Sequence, residues 1–232
     1  MILYYITDRM QFPGSEAERR RALLDQIGRA ASAGLNYIQL REKDLHAREL
    51  EELAREAVRR AREGGDRTRV LINSRMDIAL AAGASGVHLR AADISASDAR
   101  AVWAHSLPEQ ATHKASTRWV IGASCHSVEE VRRAESHGAD FAVLAPVFEK
   151  SGTSVPPLGL GVVRAAPRKG EAPDRRVEAG DQRAVLPVLA LGGVTLENAL
   201  ECLRAGASGI AGIRIFQHPD VKRTVEALRR LE

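Results

Sequence analysis

Tyr37-Ile-Gln-Leu-Arg-Glu-Lys43 changes character midway along its length. The Tyr-Ile-Gln-Leu half suits a buried β-strand, whereas the Arg-Glu-Lys half cannot be buried without partners. An apolar strand that ends in two cations directs them beyond its carboxyl end, where parallel α/β folds bind ligands. We therefore expect an anion site in which Arg41 offers a bidentate fork and Lys43 a point charge. A solvated turn into the next helix is the alternative, because charge runs usually lie on solvated faces.

The same alternation of apolar strand and amphipathic helix repeats along the chain. Apolar runs that predict strands lie at 3–6, 37–40, 70–72, 86–89, 119–122, 140–144, 187–191 and 209–213. Each is followed by a helix or a helical remnant, which is typical of an α/β protein with a (β/α)8 TIM barrel in one domain over 1–232. A doubly wound open sheet is the alternative. It needs fewer strands, and no Gly-rich turn follows the first strand here.

Helical spacing and capping residues set the predicted helices. They lie at 16–33, 47–62, 76–82, 97–104 and 221–231, with one more that Ser127 caps and that ends at His137. Thr195 is predicted to cap the helix after the seventh strand. The stretch 167–183 is rich in charge, Pro and Gly, and it predicts a solvated, mobile insertion between the sixth and seventh strands. A basic partner-binding loop is the alternative for that stretch.

Composition narrows the class of protein. The chain has 232 residues, a net charge of +4 and only 4% aromatic residues, so a nucleic-acid surface is poorly supported while an acidic small-molecule substrate is compatible. Cys125 and Cys202 lack metal-ligand spacing and imply no disulfide framework. The apolar run 1–6 is too short for a signal peptide or a membrane helix, so we expect a cytoplasmic protein. Exposed barrel helices leave room for a homodimer.

Polar side chains stand at the carboxyl ends of the predicted strands, where barrel active sites form. In chain order they are Thr7 and Asp8; Gln39, Arg41 and Lys43; Asn73 and Arg75; His88 and Asp93; Ser124 and His126; Lys150 and Thr153; Gly192 and Gly193; and Arg214. Several cations with one well-placed carboxylate suit a phosphorylated substrate, and Asp93 is available to hold Mg²⁺ against phosphate oxygens. Gly192 and Gly193, ahead of a helix, offer a second anion site. His88 on a strand is more often a core histidine than a ligand.

Eight motifs in order make the chain recognisable. They are Tyr5-Ile-Thr-Asp8, Gln39-Leu-Arg-Glu-Lys43, Ile72-Asn73, Gly86-Val-His-Leu89 with Asp93, Ile121-Gly-Ala-Ser-Cys-His126, Gly138-Ala-Asp140, Pro187-Val-Leu-Ala-Leu-Gly-Gly193 and Gly206-Ala-Ser-Gly-Ile-Ala211. From near residue 2 to about residue 215 the chain resembles the thiamine-phosphate synthase/TenI family. The Gln-Leu-Arg-Glu-Lys block is highly specific to that family, whereas the glycine-cap blocks are weak alone.

The resemblance implies a transferase of thiamine biosynthesis that joins hydroxymethylpyrimidine diphosphate to thiazole phosphate with release of pyrophosphate. It assigns pyrimidine and diphosphate contacts to Gln39, Arg41, Lys43 and Asn73, and one magnesium ligand to Asp93. Ser124 matches a contact near the reaction centre, and Gly193 matches part of the thiazole-phosphate cradle. Lys150, Thr153, Ile213 and Arg214 complete the expected substrate-binding set, and the catalytic set is Arg41, Lys43, Ser124 and His126.

The chain departs from the family pattern at four places. Ser74 stands where most synthases have a second magnesium carboxylate, and Arg90-Ala91 replaces the usual Gly-Gln. Residues 149–154 replace a Thr-x-Thr-Lys phosphate loop, and Arg214 replaces the usual Ser. These changes keep the anion-binding half of the site and weaken its metal half.

Two alternatives to the synthase stay open. One is the thiazole tautomerase of the same family, which needs no metal and uses a histidine for proton transfer; His126 is placed for that role. The other is a non-catalytic sensor of a phosphorylated ligand on the same barrel. Magnesium-dependent pyrophosphate release would separate the synthase from both.

Overall fold

Eight parallel strands close into a barrel in the computed structural model, which describes residues 1–106, 119–149, 155–166 and 185–232. The strands are β1 (Ile2–Ile6), β2 (Tyr37–Leu40), β3 (Arg69–Asn73), β4 (Gly86–Leu89), β5 (Val120–Cys125), β6 (Phe141–Leu144), β7 (Val188–Ala190) and β8 (Gly209–Gly212). Each pairs with the next strand in the chain, and β8 pairs with β1. The predicted (β/α)8 TIM barrel is confirmed. The insertion predicted at 167–183 lies outside the described residues.

A helix follows each strand on the outside of the barrel. The helices are α1 (Glu16–Ser32), α2 (Ala47–Gly64), α3 (Met76–Ala81), α4 (Ala96–Ser106), α5 (Val128–Ser136), α6 (Gly159–Ala165), α7 (Ala199–Arg204) and α8 (Val221–Arg229). Ser127 caps α5 as predicted, because its hydroxyl accepts from the Glu130 amide at 3.2 Å. Among the described helices, none is long and apolar enough to cross a bilayer.

The helix start predicted at Thr195 is wrong. α7 begins at Ala199, and Asn198 stands at its N-cap position. The Asn198 side chain instead accepts from the Thr195 amide at 2.8 Å and donates to the Gly193 carbonyl at 2.9 Å. Asn side chains compete in this way with the first turn of a helix. Here Asn198 holds the segment after β7 in a turn.

Strand side chains alternate between two cores. One core faces the helices, and the other fills the barrel with Tyr4, Ile6, Leu71, Val120, Phe141, Val143, Leu189 and Ala211. The aromatic rings form the floor of the interior: Phe141 lies 5.1 Å from both Tyr4 and Tyr37 between ring centroids. Because the barrel is filled, polar side chains of the same parity can meet solvent only at the two ends of the strands, as Arg69 does at the amino end and Asn73 at the carboxyl end of β3.

Closure of the barrel between β8 and β1 depends on a glycine. Gly209 is the register partner of Ile2, and a Cβ on Gly209 would lie far inside the van der Waals radius of the Ile2 carbonyl oxygen. The obstacle is backbone, so a side chain at this position has to move the strand itself.

We therefore expect Gly209→Ala to lower the free energy of unfolding by about 1–3 kcal/mol or more, as overpacking does. Gly161→Ala is the matched control, because a Cβ there meets nothing within 4 Å in α6 and should leave stability equal or raise it by about 1 kcal/mol. Urea unfolding followed by circular dichroism measures both variants. Equal stability of the two would contradict the closure described.

Candidate active site

Arg41 is held at the mouth of the barrel by the loop that follows β1. Its backbone amide donates to the Thr7 hydroxyl at 3.0 Å, and that hydroxyl donates to the Glu42 carboxylate at 2.5 Å. The Thr7 amide donates in turn to the Gln39 carbonyl at 2.9 Å. Three backbone and side-chain bonds therefore fix the direction in which the chain leaves β2. Arg41 is half-buried and Lys43 is exposed.

Glu42, the middle residue of the charged run, is buried and finds its partner in Arg9. The Arg9 guanidinium donates to Glu42 at 3.1 Å, to both Asp44 oxygens at 2.7 and 2.6 Å, and to Glu16 at 2.9 Å. Burial raises the pKa of Glu42, against the lowering effect of the bonds from Thr7 and Arg9. This network supplies the partners that Glu42, the buried residue of the charged half, requires. Sequence reasoning missed Arg9, which stands 33 residues from Glu42.

Gln39 faces the barrel interior and is almost fully buried, with 1% of its surface exposed. Its side-chain amide donates to the Tyr4 hydroxyl at 2.9 Å, so it lies directly on the aromatic floor. Asn73 is half-buried at the end of β3 and lies 3.4 Å from the Ser74 hydroxyl. Both amides therefore lie on the interior side of the mouth, with Gln39 enclosed and Asn73 partly accessible.

His88 and Ser124 form a pair inside the mouth. The Nε2 atom of His88 lies 2.9 Å from the Ser124 hydroxyl, and Nδ1 has no hydrogen-bond partner among the described residues. Burial lowers the pKa of His88 to about 3; the charge of Arg41 adds to this effect and that of Asp93 opposes it. His88 is thus buried, as a core histidine would be, but it is also a neutral partner of a predicted catalytic residue.

Asp93 is paired with Arg90 at the end of β4. Its Oδ2 accepts from the Arg90 amide at 2.8 Å, and its Oδ1 accepts from Arg90 Nη2 at 2.8 Å and Nε at 3.2 Å. Burial acts to raise the pKa of Asp93, yet bonds from Arg90 and Ser74 lower it overall. Ser74 lies in the left-handed region with φ of 60°. The side chains at the ends of β3 and β4 are therefore joined through this carboxylate.

The described residues do not fit a magnesium ion well. They contain no group of three or more His, Cys, Asp or Glu side chains that could hold a metal. Asp93 is the carboxylate expected to bind it, and both of its oxygens are engaged by Arg90. Magnesium binding at Asp93 stays a prediction that these contacts do not favour.

His126 is exposed just beyond β5, and its ring orientation is defined. Nδ1 lies 2.7 Å from the Ala145 carbonyl oxygen, and the His126 amide donates to Glu130 at 2.6 Å. A carbonyl oxygen only accepts, so Nδ1 carries the hydrogen of this bond. In the neutral ring Nε2 then presents a lone pair, as a proton-transfer group must.

The side expected to bind the second phosphate is built from turns. Gly193 has φ of +65°, and a Cβ there would meet the Glu149 carbonyl oxygen at 2.5 Å. Because α7 starts at Ala199, an anion beside Gly193 would meet turn amides and not a helix N-terminus. Ile213 packs against the interior core and Arg214 is exposed. Lys150 and Thr153 lie outside the described residues.

Comparison with known proteins identifies what the chain is similar to. A family model described as thiamine monophosphate synthase matches residues 3–216. The chain is 35% identical to putative thiamine-phosphate synthase 2 of Aquifex aeolicus, over 92% of this chain and 96% of that protein. It is 34% identical to thiamine-phosphate synthase of Methanospirillum hungatei, over 94% and 91%.

Solved structures show the same similarity. Thiamine phosphate pyrophosphorylase from Pyrococcus furiosus aligns with a TM-score of 0.71 at 29% identity, covering 99% of this chain and 94% of that chain. 3-Hexulose-6-phosphate synthase aligns with a TM-score of 0.64 at 17% identity, covering 100% and 99%, a likeness that shows the fold alone.

The buried His88 gives a testable pH dependence. The folded state keeps this imidazole neutral down to about pH 3, while in the unfolded chain it takes up a proton below about 6.5. The unfolded state binds more protons in that interval, so stability is lost as the pH falls. Between pH 7 and pH 5 we expect His88 to account for a loss of about 2 kcal/mol in the free energy of unfolding.

His88→Asn should remove this part of the pH dependence, whatever stability it loses at pH 7. Urea unfolding at pH 7 and pH 5 measures the difference, with His105→Asn, at the exposed end of α4, as the control. If His88→Asn kept the wild-type difference between the two pH values, the neutral state of His88 would be wrong.

Proposed function

The chain belongs to the thiamine monophosphate synthase family, and we propose that it is a transferase that joins hydroxymethylpyrimidine diphosphate to thiazole phosphate and releases pyrophosphate. The observation that carries the proposal is the anchored end of β2, where Thr7 holds the Arg41 amide and Arg9 holds Glu42. A guanidinium whose backbone is held at the mouth of a filled barrel suits recognition of a diphosphate.

The proposed reaction separates charge. The bond between the pyrimidine methylene carbon and the diphosphate oxygen breaks, and its electron pair leaves with the diphosphate. The thiazole nitrogen then donates its lone pair to the methylene cation and forms the new carbon–nitrogen bond. The main task of the protein is to stabilise the departing anion with charges that are already in place. Arg41 supplies a bidentate fork for this and Lys43 a second positive charge.

The neutral His88 suits the cationic half of this reaction. A protonated imidazole beside the methylene cation would repel it, whereas burial keeps the pKa of His88 at about 3. Ser124, which His88 contacts at 2.9 Å, is then a hydroxyl of fixed position next to the reacting carbon. Gln39 and Asn73 provide the amides that would orient the pyrimidine ring.

The thiazole phosphate is proposed to bind on the opposite side of the mouth. Gly193 offers turn amides there, and the exposed Arg214 offers a cation beyond Ile213. Lys150 and Thr153 belong to the proposed phosphate contacts by sequence only.

We also propose the finer points of setting and partners. The partners are small phosphorylated molecules, with no nucleic acid and no membrane. The two cysteines, Cys125 and Cys202, are both free and buried, in keeping with a cytoplasmic protein. A homodimer stays a prediction.

A thiazole tautomerase is the second candidate, because of the orientation of His126. Its Nδ1–H bond to Ala145 leaves Nε2 as a base that faces away from that carbonyl. This arrangement would suit transfer of a ring proton without any diphosphate chemistry.

Arg41→Ala should lower the rate of pyrophosphate release by about 10²–10³-fold, because a fixed donor to the leaving group is lost. The unfolding midpoint should stay at the wild-type value, since the Thr7 bond uses the Arg41 backbone amide. The assay supplies both phosphorylated substrates and measures free pyrophosphate. Arg55→Ala, which removes an exposed α2 guanidinium paired with Glu51, is the control. If Arg41→Ala turned over at the wild-type rate, the assignment of Arg41 to the diphosphate would be wrong. If the unmodified protein bound both substrates without turnover, it would be a sensor.

His126→Asn separates the synthase from the tautomerase. We expect it to release pyrophosphate within a few-fold of the wild-type rate, because the proposed synthase steps transfer no proton through His126, whose predicted catalytic role belongs to the tautomerase alternative. Interconversion of thiazole phosphate tautomers, followed by exchange of the ring proton in deuterated water, is the second measurement. Wild-type exchange that falls by about 10²–10⁴-fold in His126→Asn, without pyrophosphate release in either, would favour the tautomerase.

A further inference from the structure

Arg90 presents a free edge to the cavity beside the mouth. Its Nε and Nη2 atoms bond to Asp93, and a guanidinium has five N–H donors in all. Nη1 and the second hydrogen of Nη2 remain to form a fork toward another acceptor. The Arg90 side chain is 58% exposed while that of Asp93 is 12% exposed. The carboxylate is therefore the enclosed support, and the guanidinium is the accessible group.

The position of this pair suits a phosphate group. Arg90, Asp93 and Ser124 line one cavity of about 220 Å³, which runs from the ends of β4 and β5 to α5, where Glu130 and Arg133 also line it. Arg41 follows the last residue of β2 and Arg90 the last residue of β4, so both side chains start at the carboxyl end of the barrel. A diphosphate bound at this end of the barrel would lie on the same side as both guanidinium groups.

A divalent cation would have to undo this arrangement. Magnesium takes oxygen ligands in near-octahedral geometry and is usually held by one or two carboxylates together with substrate phosphates. On Asp93 it would either lie against the positive guanidinium of Arg90 or displace it and lose the two side-chain bonds. Ser74, the other side chain on Asp93, is neutral and could not compensate for the added charge.

We propose that Arg90, oriented by Asp93, takes the place of a divalent cation and contacts the diphosphate of the pyrimidine substrate directly. This inference rests on the proposed function for the identity of the substrate. Asp93 is then a positioning residue that fixes the guanidinium plane. Arginine suits the task because its fork matches phosphate oxygens in a bidentate manner.

The test uses inorganic pyrophosphate as the probe, so that binding is measured apart from turnover. Isothermal titration compares the wild-type affinity for pyrophosphate in EDTA with that in excess Mg²⁺. We expect the two dissociation constants to agree within about threefold. Arg90→Ala should bind pyrophosphate about 10–100-fold more weakly in EDTA, the effect of one lost charged hydrogen-bond donor. Arg90→Lys keeps the charge and loses the fork, so its affinity for pyrophosphate should lie between those of the wild type and Arg90→Ala.

Arg59→Ala is the matched control, because Arg59 pairs with Glu56 at the same spacing of three residues on the exposed face of α2. It should bind pyrophosphate as the wild type does. Asp93→Asn gives the second discriminating variant. If Asp93 only orients Arg90, this substitution weakens pyrophosphate binding equally in EDTA and in Mg²⁺. If Asp93 is a metal ligand, Asp93→Asn removes the gain in pyrophosphate affinity that Mg²⁺ provides and leaves binding in EDTA unchanged.

Three outcomes would overturn the inference: pyrophosphate affinity that rises more than tenfold with Mg²⁺ in the wild type, unchanged affinity in Arg90→Ala, or no pyrophosphate binding in either condition. Failure of the proposed function is a separate result. Pyrophosphate bound through Arg90 without turnover of the two substrates would contradict the synthase and leave this contact intact. Turnover that requires Mg²⁺ and is unchanged in Arg90→Ala would support the synthase and contradict the Arg90 contact.

Discussion

Every strand side chain in this barrel faces either the helices or the interior, and the rest of the structure depends on that alternation. The interior is filled from below by aromatic rings, among them Tyr4, Tyr37 and Phe141. Positions of the same parity carry Gln39, Asn73, His88 and Ser124 at or next to the ends of their strands. These polar groups lie above a floor of packed rings, and hydrogen bonds and charges act more strongly in such partly buried surroundings than in solvent. A one-residue slip of any strand would turn its polar group outward.

The loops around this mouth are fixed by a buried ion pair. Arg9 and Glu42 are 2% and 5% exposed, and such a pair is weak support for stability, since desolvation opposes its attraction. Its effect here is positional. Glu42 is bonded to Thr7, and Thr7 holds the amide of Arg41, so the buried pair sets where the neighbouring guanidinium starts. The buried Glu42 carboxylate thereby fixes the backbone from which the Arg41 side chain extends.

Local sequence patterns predict most of the fold, whereas the remaining features depend on contacts between residues that are distant in the sequence. Continuous apolar runs predicted all eight strands, because strands covered on both faces need no polar positions, and Ser127 predicted the start of α5. Thr195 misled because Asn198 captures its amide in a turn. The partnership of His88 with Ser124, 36 residues apart, follows from the β4–β5 register, which pairs His88 with Gly122. Sequence alone marked Arg90 as a departure, but its bond to Asp93 depends on the shape of one loop.

Charge at the mouth is distributed in a way that suits a reaction producing an anion and a cation together. His88 is neutral, and Asp93 is balanced by Arg90, so the buried groups beneath the mouth add little net charge. In the proposed site the positive charge comes from Arg41, whose backbone amide Thr7 holds, and from Arg90, whose guanidinium Asp93 holds. A fixed cation stabilises a departing diphosphate without reorganisation. Uncharged groups beneath the mouth, such as His88, do not repel the positively charged carbon that remains. In the proposed site the Arg90 guanidinium supplies the charge that a magnesium ion would otherwise bring, and this charge cannot dissociate from the protein.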